Sequence, residues 1–353
     1  MVTESAAGLH GVLSGGRTTI QPCISGLSTY LPPRTLTNAD LEKMVDTNDE
    51  WILQRTGIRK RHIAEPGVGT SELATKAALL AIERAGLTPD QIDFIVVGTT
   101  TPDMMFPSTA CLVQHAIGAT NAWGFDLGAA CSGFTYALTT AANMVSTGSS
   151  KHALVIGADV MSSIIDYTDR TTCVIFGDGA GAAVVEATNE DGIGIIDFVN
   201  YVDGSGGDAL CMPGGGSRNP ASHETVDRRL HYVKQDGQTV FRFAVRNTEE
   251  ACRRLLERNG VTPADLDLFV SHQANRRIIL AAAEKLEVPV EKVVINVEKF
   301  GNTTAATIPL ALNTAIEDKR LKRGDLLLMV SVGAGFTVGA LLLRWGLKEP
   351  SPA

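Results

Sequence analysis

Aromatic side chains are scarce in this sequence: Phe, Trp and Tyr make up 5% of its 353 residues, and charged residues only 20%. Beside them stand 35 glycines and 44% apolar residues. That balance supports a large core with tight turns and close helix-to-sheet contact, and excludes disorder as the chain's main character. No apolar run reaches the roughly 18 to 20 residues that a membrane span needs. Positive charge is in deficit, 31 Lys and Arg against 39 Asp and Glu for a net charge of −8, so no nucleic-acid partner held by bulk electrostatics is expected. An acidic partner must find a local basic patch. The six cysteines (Cys23, Cys111, Cys131, Cys173, Cys211 and Cys252) stand singly, with no C-x-x-C pair and no histidine at metal spacing. A disulfide framework or metal site is not expected. The start lacks a basic segment followed by a continuous apolar one, so residues 1–19 read as a flexible lead-in to a soluble, cytoplasmic protein.

At roughly 150 residues per domain the length suggests about two domains, and the chain repeats itself. Ile82-Glu83-Arg84-Ala85-Gly86-Leu87-Thr88-Pro89 lies over Leu256-Glu257-Arg258-Asn259-Gly260-Val261-Thr262-Pro263, an offset of 174. Both copies read as helix, glycine stop, proline turn and buried strand. The same offset brings Ala137-Leu138 onto Ala311-Leu312 and the apolar strand Ala153-Leu154-Val155-Ile156 onto Leu327-Leu328-Met329-Val330. Three collinear matches point to two similar α/β halves, residues 20–190 and 191–353, with mostly buried strands between helices. The Gly-, Asn- and Ser-rich region from Asp203 to Arg228 reads as a long loop or insertion able to roof a pocket.

In Gly124-Phe125-Asp126-Leu127-Gly128-Ala129-Ala130-Cys131-Ser132-Gly133-Phe134 a short strand runs through small residues into a helix from Thr135 to Val145. Cys131 therefore sits at a strand-to-helix turn, where backbone N–H groups and the helix dipole favour the nucleophilic thiolate. The other five cysteines lack such a setting and read as inert. His272 follows the buried strand Phe269-Val270-Ser271, and Asn302 lies three residues before Ala305, which the offset pairs with Cys131. The repeat thus brings both helix starts toward one site. Either residue alone reads as an ordinary satisfied polar group.

At these residues the chain resembles the thiolase superfamily and, within it, the β-ketoacyl-acyl-carrier-protein synthase III family. The resemblance runs over almost everything after residue 20. It is carried by Thr37-Asn38-Ala39-Asp40-Leu41-Glu42, Asp49-Glu50-Trp51-Ile52 with Arg55-Thr56-Gly57-Ile58, the Cys131 segment, Phe176-Gly177-Asp178-Gly179-Ala180-Gly181-Ala182, the His272 segment and Gly301-Asn302-Thr303. It implies a thiolase-like fold, two duplicated α/β halves layered αβαβα. It also implies an acyltransferase that condenses a short acyl-CoA with malonyl-acyl-carrier protein to start fatty-acid synthesis. Acyl-CoA and malonyl-carrier protein are then substrates, and no cofactor is implied.

By the same resemblance Cys131 accepts the acyl group and His272 and Asn302 complete a triad, with the backbone N–H groups of Cys131 and Ala334 as the oxyanion hole. Ala334 replaces a glycine frequent in the family, but an alanine still donates its N–H. Trp51 and Arg170 sandwich the CoA adenine, Arg55 reaches phosphate, and Thr47, Gly237, Phe241, Ala274 and Asn275 line the pantetheine channel. Phe106 and Met161 match acyl-pocket positions, Phe106 being supplied across a homodimer interface. Arg242, Arg246, Arg276 and Arg277 are candidates for the patch that meets the acidic carrier protein. The chemistry suits the residue types. A non-decarboxylating thiolase needs a base to remove an α-proton, whereas hydrogen-bond donors suffice when loss of CO₂ generates the carbanion.

Rival readings are weaker. Gly177-x-Gly179-x-x-Ala182 imitates a dinucleotide fingerprint but precedes a strand where that motif needs a helix. Ala129-x-Cys131-x-Gly133 imitates a hydrolase elbow, yet a cysteine hydrolase expects an acid between nucleophile and histidine. A non-catalytic carrier-protein binder conflicts with an intact Cys131, His272 and Asn302. Within the family, a specialised starter enzyme of secondary metabolism using longer or branched acyl groups has the same motifs.

Overall fold

The structure is a computed structural model describing residues 20–347; the lead-in expected over residues 1–19 lies outside the described residues. Its central strands are short apolar runs buried on both faces, as expected where helices cover a sheet from each side, as along Phe94–Gly98 and Leu268–Ser271. The first sheet contains β1 (Gln21–Tyr30), β2 (Phe94–Gly98), β3 (Trp123–Leu127), β4 (His152–Asp159) and β5 (Gly179–Thr188), in the order β1-β5-β4-β2-β3. β2 runs parallel to β3 and β4, and β5 antiparallel to β4 and β1. The second sheet contains β6 (Gly194–Val202), β7 (Leu268–Ser271), β8 (Leu326–Gly333) and β9 (Thr337–Arg344), in the order β7-β8-β9-β6 with only β7 and β8 parallel. It repeats the first sheet without its edge strand, in whose place a single bridge joins Phe269 to Val293.

Helices α1 (Asp49–Thr56), α2 (Thr70–Arg84), α3 (Thr109–Ile117), α4 (Gly133–Ser146), α5 (Gly237–Asn259), α6 (Arg276–Lys285) and α7 (Thr307–Glu317) fill the other layers. Along β2, Phe94 and Val96 face a core shared with Phe134 and Leu138 of α4 and Ile308 and Leu312 of α7. Ile95 and Val97 face the opposite core, with Leu73, Ala77 and Ala81 of α2 and Val113 of α3. The outer face of the second sheet is covered by α5 and α6 through Leu255, Leu256, Ile279 and Ala283. The result is αβαβα, with α4 and α7 as the middle layer. Each Val, Leu or Ile buried there contributes about 1.5–3 kcal/mol, so the two sheets are held through this pair of helices.

The middle layer packs closely because its contact points are small. A Cβ on Gly98 would lie 2.5 Å from the carbonyl carbon of Gly133, so the end of β2 can meet the start of α4 only as glycine against glycine. The Asp203–Arg228 region is more ordered than a long loop. It contains a short helix, His223–Asp227, and leads into a two-stranded pairing of Leu210–Cys211 with Lys234–Gln235. Arg229 clamps it to the first half by donating to both carboxylate oxygens of Asp166 at 2.8 and 2.5 Å.

Candidate active site

Between strand β3 and helix α4 the chain makes a single 3-10 turn, Ala130–Ser132, with Cys131 at its centre. The turn requires Ala130 in the left-handed region at φ 47°, a conformation that costs energy for any residue with a Cβ. Hydrogen bonds from both halves hold it. The Ser132 hydroxyl lies 3.2 Å from the carbonyl of Ser331 and 3.1 Å from that of Thr337, and Thr337 Oγ1 donates to the Ala129 carbonyl at 2.8 Å. A Cβ on Gly333 would lie 2.8 Å from the backbone nitrogen of Cys131. The Gly333-Ala334 turn therefore comes up against the nucleophile's own N–H, where the expected oxyanion hole lies.

His272 continues β7, its N–H donating to the Val330 carbonyl at 2.8 Å, and Gln273 beside it is fully committed. Gln273 Nε2 donates to the carbonyls of Ser271 and Val294, and its Oε1 accepts from the N–H groups of Asn296 and Val297. This clamps the histidine loop to the segment leading to Asn302. Gly301 turns that segment at φ 68°. Asn302 is then bridged to the first half, its N–H donating to Ile175 and its carbonyl accepting from Gly177, both at 3.0 Å. Its Oδ1 accepts the Thr304 N–H at 2.8 Å, which leaves the amide NH₂ as a donor on the cavity that Cys131 also lines.

Cys131, His272 and Asn302 line one cavity of about 710 Å³. All three are buried, at 5%, 6% and 5% exposure. Burial alone holds the His272 imidazole well below its ordinary range, down to about 3, so it is neutral near pH 7. Burial, reinforced by the charge of Asp159, pushes the Cys131 thiol up to about 12, against hydrogen bonds from backbone and Asn302. The thiolate expected from the turn and helix dipole is therefore overridden in the resting site by desolvation. Of the other cysteines, Cys23, Cys173 and Cys252 are buried, but Cys111 is exposed and Cys211 half-buried, so an inert buried role does not describe all five.

The same cavity takes in Trp51, Arg55, Gly237, Phe241, Ala274 and Asn275. Asn275 caps α6, accepting from the Arg277 N–H at 2.8 Å, and donates to the Arg55 carbonyl at 2.8 Å. Arg170 is off the cavity wall but its guanidinium lies 5.4 Å from the Trp51 ring centre, with Arg55 at 5.6 Å. A base stacked between Trp51 and Arg170 needs about 7 Å, twice an ordinary contact distance, so this half-exposed arginine must swing outward to admit one. Thr47 lies outside the cavity lining, next to the N-cap Asn48 of α1, and its hydroxyl is without a partner.

Met161 is buried behind the cavity among Ile165, Cys173, Val174 and Phe176, of which Val174 and Phe176 reach the wall. Phe106 is absent from the wall and 84% exposed. Of the basic candidates Arg242 and Arg277 line the cavity, while Arg246 and Arg276 are exposed outside it. Gly179 opens a strand and packs against Leu31 and Thr303, which removes the dinucleotide reading. Sequence reasoning missed Asp159, Thr307 and Phe336. Phe336 stacks on Phe243 with ring centres 3.9 Å apart and lines the cavity; its place two residues after Ala334 was the available signal.

Comparison with known proteins shows the family and the fold. The sequence model of a family described as 3-oxoacyl-[acyl-carrier-protein (ACP)] synthase III matches residues 125–204, and its C-terminal counterpart matches residues 256–345. A β-ketoacyl-[acyl-carrier-protein] synthase III of Koribacter versatilis (strain Ellin345) is 58% identical over 324 residues, 91% of this chain and 97% of the relative. The crystal structure of 3-oxoacyl-[acyl-carrier-protein] synthase III from Aquifex aeolicus VF5 is similar with a TM-score of 0.84 at 47% identity, covering 92% of this chain and all of that one. A priming β-ketosynthase from the R1128 polyketide biosynthetic pathway is similar with a TM-score of 0.86 at 37% identity, covering 95% of this chain and all of that one.

Proposed function

The chain belongs to the 3-oxoacyl-[acyl-carrier-protein] synthase III family, and from that premise we infer a condensing acyltransferase that joins a short acyl-CoA to malonyl-acyl-carrier protein and so opens fatty-acid synthesis. The observation that carries the site assignment is one cavity containing Cys131, His272 and Asn302 and extending to Trp51 and Arg55. Cys131 attacks the acyl-CoA thioester; the S–C bond to CoA breaks, and the proton lost by Cys131 balances the one gained by the departing CoA sulfur. The backbone N–H groups of Cys131 and Ala334 hold the oxyanion, each such donor contributing on the order of 3 kcal/mol.

Malonyl-carrier protein then delivers its thioester into the same cavity. CO₂ leaves, and the electron pair passes to an enolate whose oxygen is held by His272 and by the Asn302 amide. The enolate carbon attacks the acyl-Cys131 carbonyl, Cys131 leaves as thiolate, and β-ketoacyl-carrier protein departs. Decarboxylation supplies the carbanion, so this scheme uses no resident cofactor or metal. The adenine stacks at Trp51 with Arg170, and Arg55 meets phosphate. Arg242, Arg246, Arg276 and Arg277 surround or flank the entrance as the acidic carrier's basic partner; among the described residues none is held in an ion pair.

We propose a homodimer built along β3, the open edge of the first sheet; Trp123 on that strand is 53% exposed, and Met105 and Phe106, in the segment before α3, are 80% and 84% exposed. An open strand edge and bare apolar side chains of this size call for a partner. Phe106 then reaches the other subunit's acyl pocket beside Met161. The enzyme works in the cytoplasm, where both thioester substrates occur. Intact-protein mass spectrometry with acetyl-, isobutyryl-, hexanoyl- and decanoyl-CoA tests the assignment. Adducts on Cys131 with short donors, absent in Cys131→Ala and discharged by malonyl-carrier protein, are expected. Loading by decanoyl-CoA alone would point to a specialised starter enzyme, and no adduct with any donor would sink the scheme.

A further inference from the structure

The proposed function asks His272 to donate a hydrogen bond, yet a neutral imidazole carries one proton on one of two nitrogens. Nδ1 is occupied: it lies 2.6 Å from the Thr307 hydroxyl, in the first turn of α7. Nε2 is the nitrogen left for the cavity that His272 lines. Which end holds the proton depends on the Thr307 hydroxyl, which has one proton and two acceptors within reach, Nδ1 at 2.6 Å and the Thr304 carbonyl at 3.0 Å. Should the hydroxyl donate to the carbonyl, Nδ1 must carry the proton, and a bare lone pair on Nε2 would face the enolate oxygen.

The surroundings favour the other arrangement. The Thr304 carbonyl already accepts the backbone N–H of Thr307, so it is satisfied without the hydroxyl. The remaining groups of the turn are committed as well. The Thr304 N–H goes to Asn302 Oδ1, and its hydroxyl goes to the Asp159 carboxylate, which also takes the Ala305 N–H at 3.3 Å. On its other oxygen Asp159 accepts from Thr99, Thr100 and Thr101, at 2.7 to 3.2 Å. The turn is thereby pinned between both halves. The Thr307 hydroxyl proton is then free to follow its shorter contact, to Nδ1 of His272 at 2.6 Å.

We propose that Thr307 is a positioning residue whose hydroxyl donates to Nδ1 of His272, keeping the single imidazole proton on Nε2 where it meets the reacting carbonyl oxygen. The same turn thus orients both donors of the site: it ties Asn302 by its oxygen, leaving NH₂ free, and ties His272 by Nδ1, leaving Nε2–H free. The proposal rests on the donor role given to His272 above.

The test is ¹⁵N NMR of the full-length enzyme with labelled histidine. His272 is identified among the seven histidines by the signals lost in His272→Ala. The expected spectrum of the unaltered enzyme at pH 7 has the proton on Nε2 and a hydrogen-bonded, unprotonated Nδ1. In Thr307→Val the proton redistributes between the two nitrogens, and CO₂ release from malonyl-carrier protein falls roughly 10- to 100-fold, as expected when the partner fixing a tautomer is lost. Acyl loading of Cys131 stays within a few-fold, and Thr307→Ser restores both spectrum and rate. A proton on Nδ1 in the unaltered enzyme overturns the proposal even if the valine variant fails to fold. So does a valine variant with unchanged spectrum and CO₂ release. If His272→Ala itself releases CO₂ normally, the donor role of His272 has failed, whatever tautomer the spectrum reports.

Discussion

The turn that carries Cys131 and the turn that carries Ala305 are the same piece of backbone used twice. The 3-10 turns Ala130–Ser132 and Thr304–Ala306 stand 174 residues apart, the helices after them begin at Gly133 and Thr307 with that offset, and the left-handed residues Ala130 and Thr304 have φ of 47° and 49°. They also meet, since a Cβ on Gly133 would lie 3.2 Å from that of Ala305. Their chemistry has separated. The first copy presents a sulfur beside backbone N–H groups, while the second has alanine at that place and holds Asn302 through the Thr304 N–H and His272 through the Thr307 hydroxyl. The strand ends differ in the same sense: Asp159 ends β4 as a buried acceptor, and Gly333, its counterpart at the same offset, ends β8 and lets backbone approach Cys131. A duplicated scaffold supplies two strained turns face to face, and in the proposed scheme one serves acyl transfer and the other decarboxylation.

The largest effect that sharpens this division is Cys131→Ala, which abolishes acyl loading, a loss on the order of 10⁴-fold or more read by intact mass. Next come His272→Ala and Asn302→Ala. Each lowers CO₂ release on the order of 10²- to 10³-fold in a coupled assay while loading of Cys131 by acetyl-CoA continues. The two turns also separate by pH. Cys131 is protonated below its raised value, so loading rates climb with pH from 6 to 9 in stopped-flow acylation. His272 is already neutral above about 3, so decarboxylation is flat over the same range. A bell-shaped decarboxylation profile centred near pH 6.5 would break the comparison. The smallest effect is structural: Gly98→Ala forces β2 against the start of α4 and destabilises by about 1–3 kcal/mol, seen as a lower Tm without selective loss of either half-reaction.

Much of this division was legible before any coordinates. The 174-residue offset placed Asn302 near the counterpart of Cys131, and the run from a short strand through small residues into a helix marked Cys131 as sitting at a strand-to-helix turn. The family resemblance supplied the roles, and the cavity brings together most of the residues it named. The rest depended on three-dimensional surroundings. Asp159 and Thr307 carry no motif, because a hydrogen-bond hub is defined by donors from Thr99 to Ala305 that are distant in sequence. The raised pKa of Cys131 escaped notice because helix-terminus position is visible in a sequence and complete desolvation is not. Thr47, which the resemblance put in the pantetheine channel, lies outside the cavity lining.

The most direct test of the separation is CO₂ release from malonyl-carrier protein by the Cys131→Ala enzyme. The account predicts release at a rate within a few-fold of the unaltered enzyme's, because the second turn and its donors remain intact. Loss of decarboxylation together with loading would contradict it, since the two turns would then work as one inseparable unit.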